Sequence, residues 1–248
     1  MRRAREGWPT LRQVRSVWMG VKTGANDVFV DPPAHVITAP CVAGRDLRTM
    51  SAREGRRILF EHDLRSGAAH PRVHATTIAY LNDHSARLRA RADAREKTAA
   101  WSLFRVRPSA LGWRVVWREL APTLQASVLP PVWEGGAVPL NTVYGVSAVE
   151  PEEALRWALW LNAAAVHWWV TIDAERALGG YLRFRERNVG SAPAPPPSAD
   201  LSGLLRGRVC LSQPHRLRPE QVRWAEVDAW AARTLQLTPA ERARSARA

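Results

Sequence analysis

Gly20 and Gly24 bracket a short tip, Val21-Lys22-Thr23, that carries one cation and one hydroxyl. Glycine lets the backbone take φ > 0 and approach another surface closely. The turn residues Ala25-Asn26-Asp27 follow, because Asn and Asp side chains bond nearby backbone groups. The apolar run Val28-Phe29-Val30 then reads as a strand, ended by Asp31-Pro32-Pro33. The stretch therefore predicts strand, tight turn, strand, with Lys22, Thr23 and Asn26 displayed at the turn. Read alone, these residues fit an ordinary surface hairpin as well as a binding loop.

Around this stretch the pattern mixes periods of two and of about 3.6. Leu11, Val14, Val17 and Trp18 suit a short helix or strand leading into it. Short strands are expected at Val36-Ile37-Thr38 and at Arg57-Ile58-Leu59-Phe60. The second is ended by Glu61-His62-Asp63, where neighbouring side chains face opposite sides and His62 reads as part of a solvated strand end. Ile78, Leu81, Ser85, Leu88 and Ala92 recur at helical spacing within 72–99, and Arg87, Arg91 and Arg95 form a second, basic stripe. That stripe suits a solvated face or a phosphate-tracking one. Trp113-Arg114-Val115-Val116-Trp117-Arg118 alternates strictly, which predicts a half-buried strand with Arg114, Val116 and Arg118 on a basic outer side. Gly135-Gly136 predicts a hairpin turn, and Asn141–Val146 a further strand. Pro151-Glu152-Glu153 starts a helix through Leu155, Leu159, Asn162, Val166 and Trp169, with Asn162 expected to be buried and hydrogen-bonded. Pro193, Pro195, Pro196 and Pro197 mark a polyproline exit linker, and 217–235 a terminal helix starting at Pro219-Glu220.

Composition narrows the function classes. Of 248 residues, 46% are hydrophobic, enough for a buried core. No apolar run reaches membrane-spanning length, and no apolar stretch follows the charged start Met1–Glu6, so neither a membrane span nor a secretory signal is expected. Cys41 and Cys210 stand far apart without paired histidines, which argues against a disulfide framework or a metal site; a cytoplasmic location follows. The net charge is +13, almost all from arginine, with lysine only at positions 22 and 97. Arginine forks match phosphate oxygens and guanine edges, so polyanion partners fit, although a GC-rich genome also inflates arginine. Twelve tryptophans imply a large core and a protein-docking face.

Three strings, spaced in order, carry a family resemblance. Gly20–Phe29 resembles the G-x-x-T-G-x-N-x-x-F signature of target-recognition domains in TaqI/Eco57I-type N6-adenine DNA methyltransferases and restriction-modification proteins. Val42-Ala43-Gly44-Arg45-Asp46-Leu47 is similar to the V-x-G-R-D-[LI] segment of those domains, and Gly179-Gly180-Tyr181-Leu182-Arg183-Phe184 to their G-G-Y-x-R-F. Weaker similarity links Tyr80–Arg105, Asn141 and Leu161-Asn162-Ala163 to the same domains. The resemblance implies an α+β fold of strands and hairpins with supporting helices, over 1–192, followed by a proline-rich linker and helical tail over 193–248. It implies readout of base edges in double-stranded DNA by Lys22, Thr23, Gly24 and Asn26, with Arg45, Arg48, Arg183, Arg185 and Arg187 at or near the duplex. Arg45 could equally pair with Asp46, and Arg183, Arg185 and Arg187 could form a charged outer strand face.

The family's catalytic elements are not found. Asp31-Pro32-Pro33-Ala34 lacks the aromatic that stacks on a flipped adenine. No glycine-rich S-adenosylmethionine loop, nuclease cluster or positioned nucleophile is evident. The expectation is a non-catalytic specificity subunit. Its partners would be DNA and a methyltransferase catalytic subunit, which binds S-adenosylmethionine, or a larger restriction or phage-defence complex. A non-catalytic scaffold derived from such a domain is the alternative.

Overall fold

The computed structural model describes residues 8–95, 98–207 and 209–246. The charged start Met1–Glu6 and Lys97 lie outside them. In chain order come α1 (Leu11–Val14), β1 (Val17–Met19), α2 (Asn26–Phe29), β2 (Ala39–Val42), β3 (Leu47–Arg48), β4 (Ser51–Ala52) and β5 (Arg57–Ile58). Next are α3 (Ala75–Asp83), α4 (Ser85–Arg89), β6 (Arg114–Arg118), β7 (Leu120–Ala121), β8 (Ala126–Leu129), β9 (Val138–Pro139) and β10 (Val143–Ser147). The chain ends with α5 (Pro151–Asn162), α6 (Ala164–Ile172), β11 (Glu175–Arg176), β12 (Leu182–Arg183), α7 (Glu186–Val189), α8 (Trp224–Thr234) and α9 (Pro239–Ser245). The class is α+β, as the resemblance implies. No helix among the described residues is long and apolar enough to cross a membrane.

The frame is an antiparallel sheet in the order β1-β10-β6-β8, with Tyr144 opposite Trp117 and Arg114 opposite Leu129. Val115, Trp117, Val128 and Val146 join one core cluster with the apolar faces of α5, α6 and α8. The expected strand over 113–118 and the expected helix start at Pro151 are both present. The expected basic outer side is not. Val116 packs with Trp18, Val42, Leu47 and Val143, and Arg114 is wholly buried. A second layer built from β2 and β3 covers that face, so alternation marks two buried sides rather than one. β2 also pairs antiparallel with β5 and parallel with β9, over a third cluster containing Phe29, Ile58, Tyr80 and Leu88.

Other local expectations change. Asn26–Phe29 is a helical turn rather than a strand, because the Thr23 hydroxyl accepts from Ala25 N (3.1 Å) and donates to Asn26 Oδ1 (2.6 Å). Ala39–Val42, rather than Val36–Thr38, forms the strand after the prolines. The helical pattern over 72–99 breaks at His84 and stops at Arg89, and Ile78 is exposed. Arg91 is buried, so the basic stripe does not exist as a face. Gly135-Gly136 is a turn between β8 and β9, strands of different sheets, and so closes no hairpin. Pro219–Gln221 is a single 3₁₀ turn ahead of α8. Asn162 does hold a structural position: it donates to the carbonyls of Ala126 and Ala158 and accepts from Ala126 N.

The proline-rich segment is anchored at its start. Thr10 bridges Pro193, Ala194 N donates to Pro9 O, and the Trp8 indole donates to Ala194 O. Leu201, Leu205, Val222 and Val227 beyond it enter the same cluster as the central sheet. Trp133 alone among the twelve tryptophans is exposed, so their surplus serves the core rather than a docking face.

His62 is buried, not at a solvated strand end. Its Nε2 accepts from Leu103 N (3.0 Å), so Nδ1 carries the proton and donates to Gly67 O (2.9 Å). Burial holds its pKa below the ordinary 6.5, and does the same to His167 and His215. The unfolded chain therefore takes up these protons first as pH falls. Stability is full above pH 6.5 and declines below it, toward the depressed folded values. Denaturant midpoints measured across this range should fall on the acid side, and His62→Gln should flatten that fall while lowering the neutral plateau. A midpoint that rises on acidification contradicts the assignment.

Candidate functional site

The three strings approach one another through the sheet. Gly20–Lys22 runs extended between two other segments: Val21 N donates to Pro139 O, while Lys22 and Phe104 exchange backbone hydrogen bonds of 2.9 and 2.8 Å. In the second string Asp46 Oδ2 accepts from Ala43 N at 2.9 Å, and Gly44 N donates to Thr142 Oγ1 at 2.9 Å. A Cβ on Gly44 would lie 2.7 Å from Thr142 O, so only glycine allows this loop to lie against the start of β10. In the third string β12 pairs with β11 on one side and β7 on the other.

Together they line one open cleft of about 740 Å³. Asn26 comes from the first string, Arg45 from the second, and Tyr181 and Arg183 from the third, with Asn141 and Arg118 between them. Arg45 is exposed and has no ion pair among the described residues. The local pair with Asp46 does not form, because Asp46 is taken by Arg56 Nε at 3.2 Å. Arg118 lies where burial lowers its pKa, as does the charge of Arg48 to a smaller degree, and its guanidinium donates to Leu47 O.

The remaining candidate residues separate into two groups. Lys22, Thr23, Gly24 and Arg48 do not line the cleft. Lys22 forms an ion pair with Asp93, and Thr23 is buried in its own turn rather than displayed. The Arg48 guanidinium folds back on the carbonyls of Arg45 and Leu47. Arg183, Arg185 and Arg187 form a ladder with two glutamates. Arg183 and Arg185 share Glu119 at 3.4 and 2.8 Å, and all three meet Glu175 at 3.3 to 3.4 Å. The hydrogen bond to Glu119 raises the Arg185 pKa above its ordinary value. These pairs are part-exposed, so each is a weak tie that an anion can displace.

Spacing in the sequence singles out neither Tyr181 nor Arg118 as a site residue. Tyr181 sits inside the third string and is 39% exposed; an aromatic directly after two glycines is the signal that points to it. Arg118 reads from the sequence only as one member of a basic strand face.

No family model matches the chain, and no curated protein matches it. Among solved structures the fold is similar to part of the Type IIL restriction-modification enzyme MmeI, determined in complex with DNA. The TM-score is 0.57 at 11% identity, over 95% of this chain and 35% of that one. At that identity the likeness is one of fold, and this chain spans about a third of that protein's length.

Proposed function

We propose that this chain is a DNA specificity subunit. It reads a duplex sequence and directs a separate S-adenosylmethionine-dependent adenine methyltransferase in a restriction-modification or phage-defence system. The observation that carries this reading is the convergence of three sequence-distant strings on one cleft, where Asn26, Arg45 and Arg183 stand beside Tyr181. Amide and guanidinium groups are the side chains that recognise adenine and guanine edges bidentately. The fold likeness to a restriction-modification enzyme solved with DNA supports the same partner. The chain supplies sequence choice in this reading, and the partner supplies cofactor and chemistry. The scaffold alternative loses its main support because the tryptophans are used in the core.

Selection of bound sequences from a random duplex pool by the purified chain tests the proposal. Arg45→Ala should weaken binding to the selected site by about 1–3 kcal/mol and relax preference at one position. Asn26→Ala should relax another. Unchanged affinity and unchanged preference in both variants would remove the cleft from the site. Co-purification from the native host at low salt should bring down a chain carrying the adenine-methyltransferase motif. Recovery of nucleic acid without such a chain would withdraw the subunit role.

A further inference from the structure

We infer that a second hollow, next to the cleft, is a phosphate-binding pocket for the DNA backbone; the inference rests on the DNA-reading function proposed above and adds residues that function does not use. The hollow has a volume of about 460 Å³, and Arg12, Arg105, Arg107, Arg185 and Arg187 line it against one acid, Glu186. These arginines come from three separated stretches: α1, the loop ahead of β6, and the β12–α7 junction. No sequence motif unites them; the fold does.

The charge there is unbalanced. Arg185 and Arg187 are engaged by Glu119 and Glu175. Arg12, Arg105 and Arg107 are exposed and have no ion pair among the described residues. Three guanidinium groups with only Glu186 to offset them face one hollow and repel each other, and an anion placed among them relieves that repulsion. The backbone holding them is fixed. Arg12 N donates to Gly190 O at 3.0 Å, and Phe104, just before Arg105, is paired to Lys22. Arg105 itself stands at φ +61, a conformation that L residues other than Asn, Asp and His seldom adopt. Such strain persists where the surrounding structure over-determines it, and it collects at binding sites.

The five cations are all arginine, whose planar fork matches phosphate and carboxylate alike, so the position of the hollow beside the reading cleft is what favours a phosphodiester. The hollow is also joined to the reading cleft, since Glu119 accepts from Arg183 of the cleft and from Arg185 of the hollow. A duplex whose bases lie over the cleft carries its backbone past this point. Phosphate contacts of this kind set position and orientation and carry no sequence information.

The test uses the full chain, its selected duplex and a scrambled duplex of equal length, with binding measured by fluorescence anisotropy over a series of KCl concentrations. The double variant Arg12→Gln/Arg107→Gln changes two exposed side chains and should leave the melting temperature unchanged. It should weaken both duplexes by the same factor, about tenfold, and make the slope of log K against log salt shallower by about two, one for each arginine neutralised. Arg107→Glu should weaken both further. Unchanged affinity and slope in these variants, with the wild-type site preference intact, overturns the pocket and leaves the reading cleft standing. Loss of site preference without a change in salt slope also overturns it. Retained duplex affinity with lost binding to polyglutamate assigns the hollow to an acidic protein and overturns it as well. A wild-type chain without salt-dependent duplex binding overturns both this inference and the function on which it rests.

Discussion

Arg114→Ala should lower the stability of this chain by about 3–5 kcal/mol, the range for leaving buried polar groups uncompensated together with a cavity. Arg114 is 0% exposed and is among the largest fully buried side chains. Nη1 donates to the carbonyls of Leu111 (3.2 Å), Gly112 and Pro130 (2.7 Å), and Nη2 donates to the carbonyl of Ala137. Those oxygens belong to the turn before β6, the end of β8 and the segment before β9. One side chain therefore ties three loops at the edge of the sheet. Burial pulls its pKa down to about 9, still above neutral, so it enters the core as a cation solvated by carbonyl dipoles. Alanine would take the guanidinium from the carbonyls of Gly112, Pro130 and Ala137, while Leu111 O keeps its bond from Val132 N, and it would open a cavity at the edge of the sheet. Methionine should recover the volume but not the hydrogen bonds, and lysine cannot reach all the acceptors with one ammonium. Thermal unfolding should show a loss of about 6–20 °C for alanine at this chain length. A shift below about 1 kcal/mol would mean that water replaces the guanidinium at little cost, and that the three loops are held by other interactions.

The same residue shows where reading the sequence stops. The alternation over 113–118 identifies the strand, yet it places Arg114 on an outer face. Alternation reports two faces; it does not report whether a second layer covers the polar one. That layer is made by Val42 and Leu47, some seventy residues earlier in the chain. The helix start at Pro151 is legible because it depends on neighbours within a turn. The structural role of Asn162 is legible from its place on an apolar helix stripe, whereas its partner Ala126, 36 residues earlier, is not. Val28-Phe29 misleads for the opposite reason: two buried apolar residues fit a strand or one turn of helix, and the Thr23–Asn26 hydrogen bond decides between them. At the site, the three strings are visible as strings. Their meeting at one cleft is not, nor the capture of Asp46 by Arg56 that leaves Arg45 unpaired, nor the two glutamates opposite Arg183, Arg185 and Arg187. Each of these depends on side chains brought together by the sheet rather than by spacing.

Arg91→Ala should lower stability by about 2–4 kcal/mol and, unlike Arg114→Ala, should also blur the duplex preference of the folded chain. Arg91 is 4% exposed and follows the end of α4. Nε donates to Leu88 O (3.1 Å), Nη1 to Ser102 O (2.7 Å) and Thr23 O (3.3 Å), and Nη2 to Ala100 O (3.1 Å). Its guanidinium carbon lies 5.3 Å from the Phe29 ring centroid and 5.0 Å from that of Phe104, within cation–π range. The stem runs beneath Gly24, which stands at φ +70; a Cβ there would come within 3.1 Å of Arg91 Cδ. This one side chain thus holds the backbone of the first string, three residues before Asn26, against the loop that carries Arg105. Without it Thr23 O loses its donor, and the turn that presents Asn26 at the cleft loses its floor. Lysine should not restore either property, because four carbonyls and two rings are shared by a planar group. The decisive comparison is the ratio of affinities for the selected and scrambled duplexes, taken at a temperature where all variants are folded. Arg114→Ala should keep the wild-type ratio, since none of its acceptors lines the cleft. Arg91→Ala should reduce it several-fold. An unchanged ratio for Arg91→Ala would mean that the Thr23–Asn26 hydrogen bond suffices to fix the first string, and that Arg91 serves stability alone.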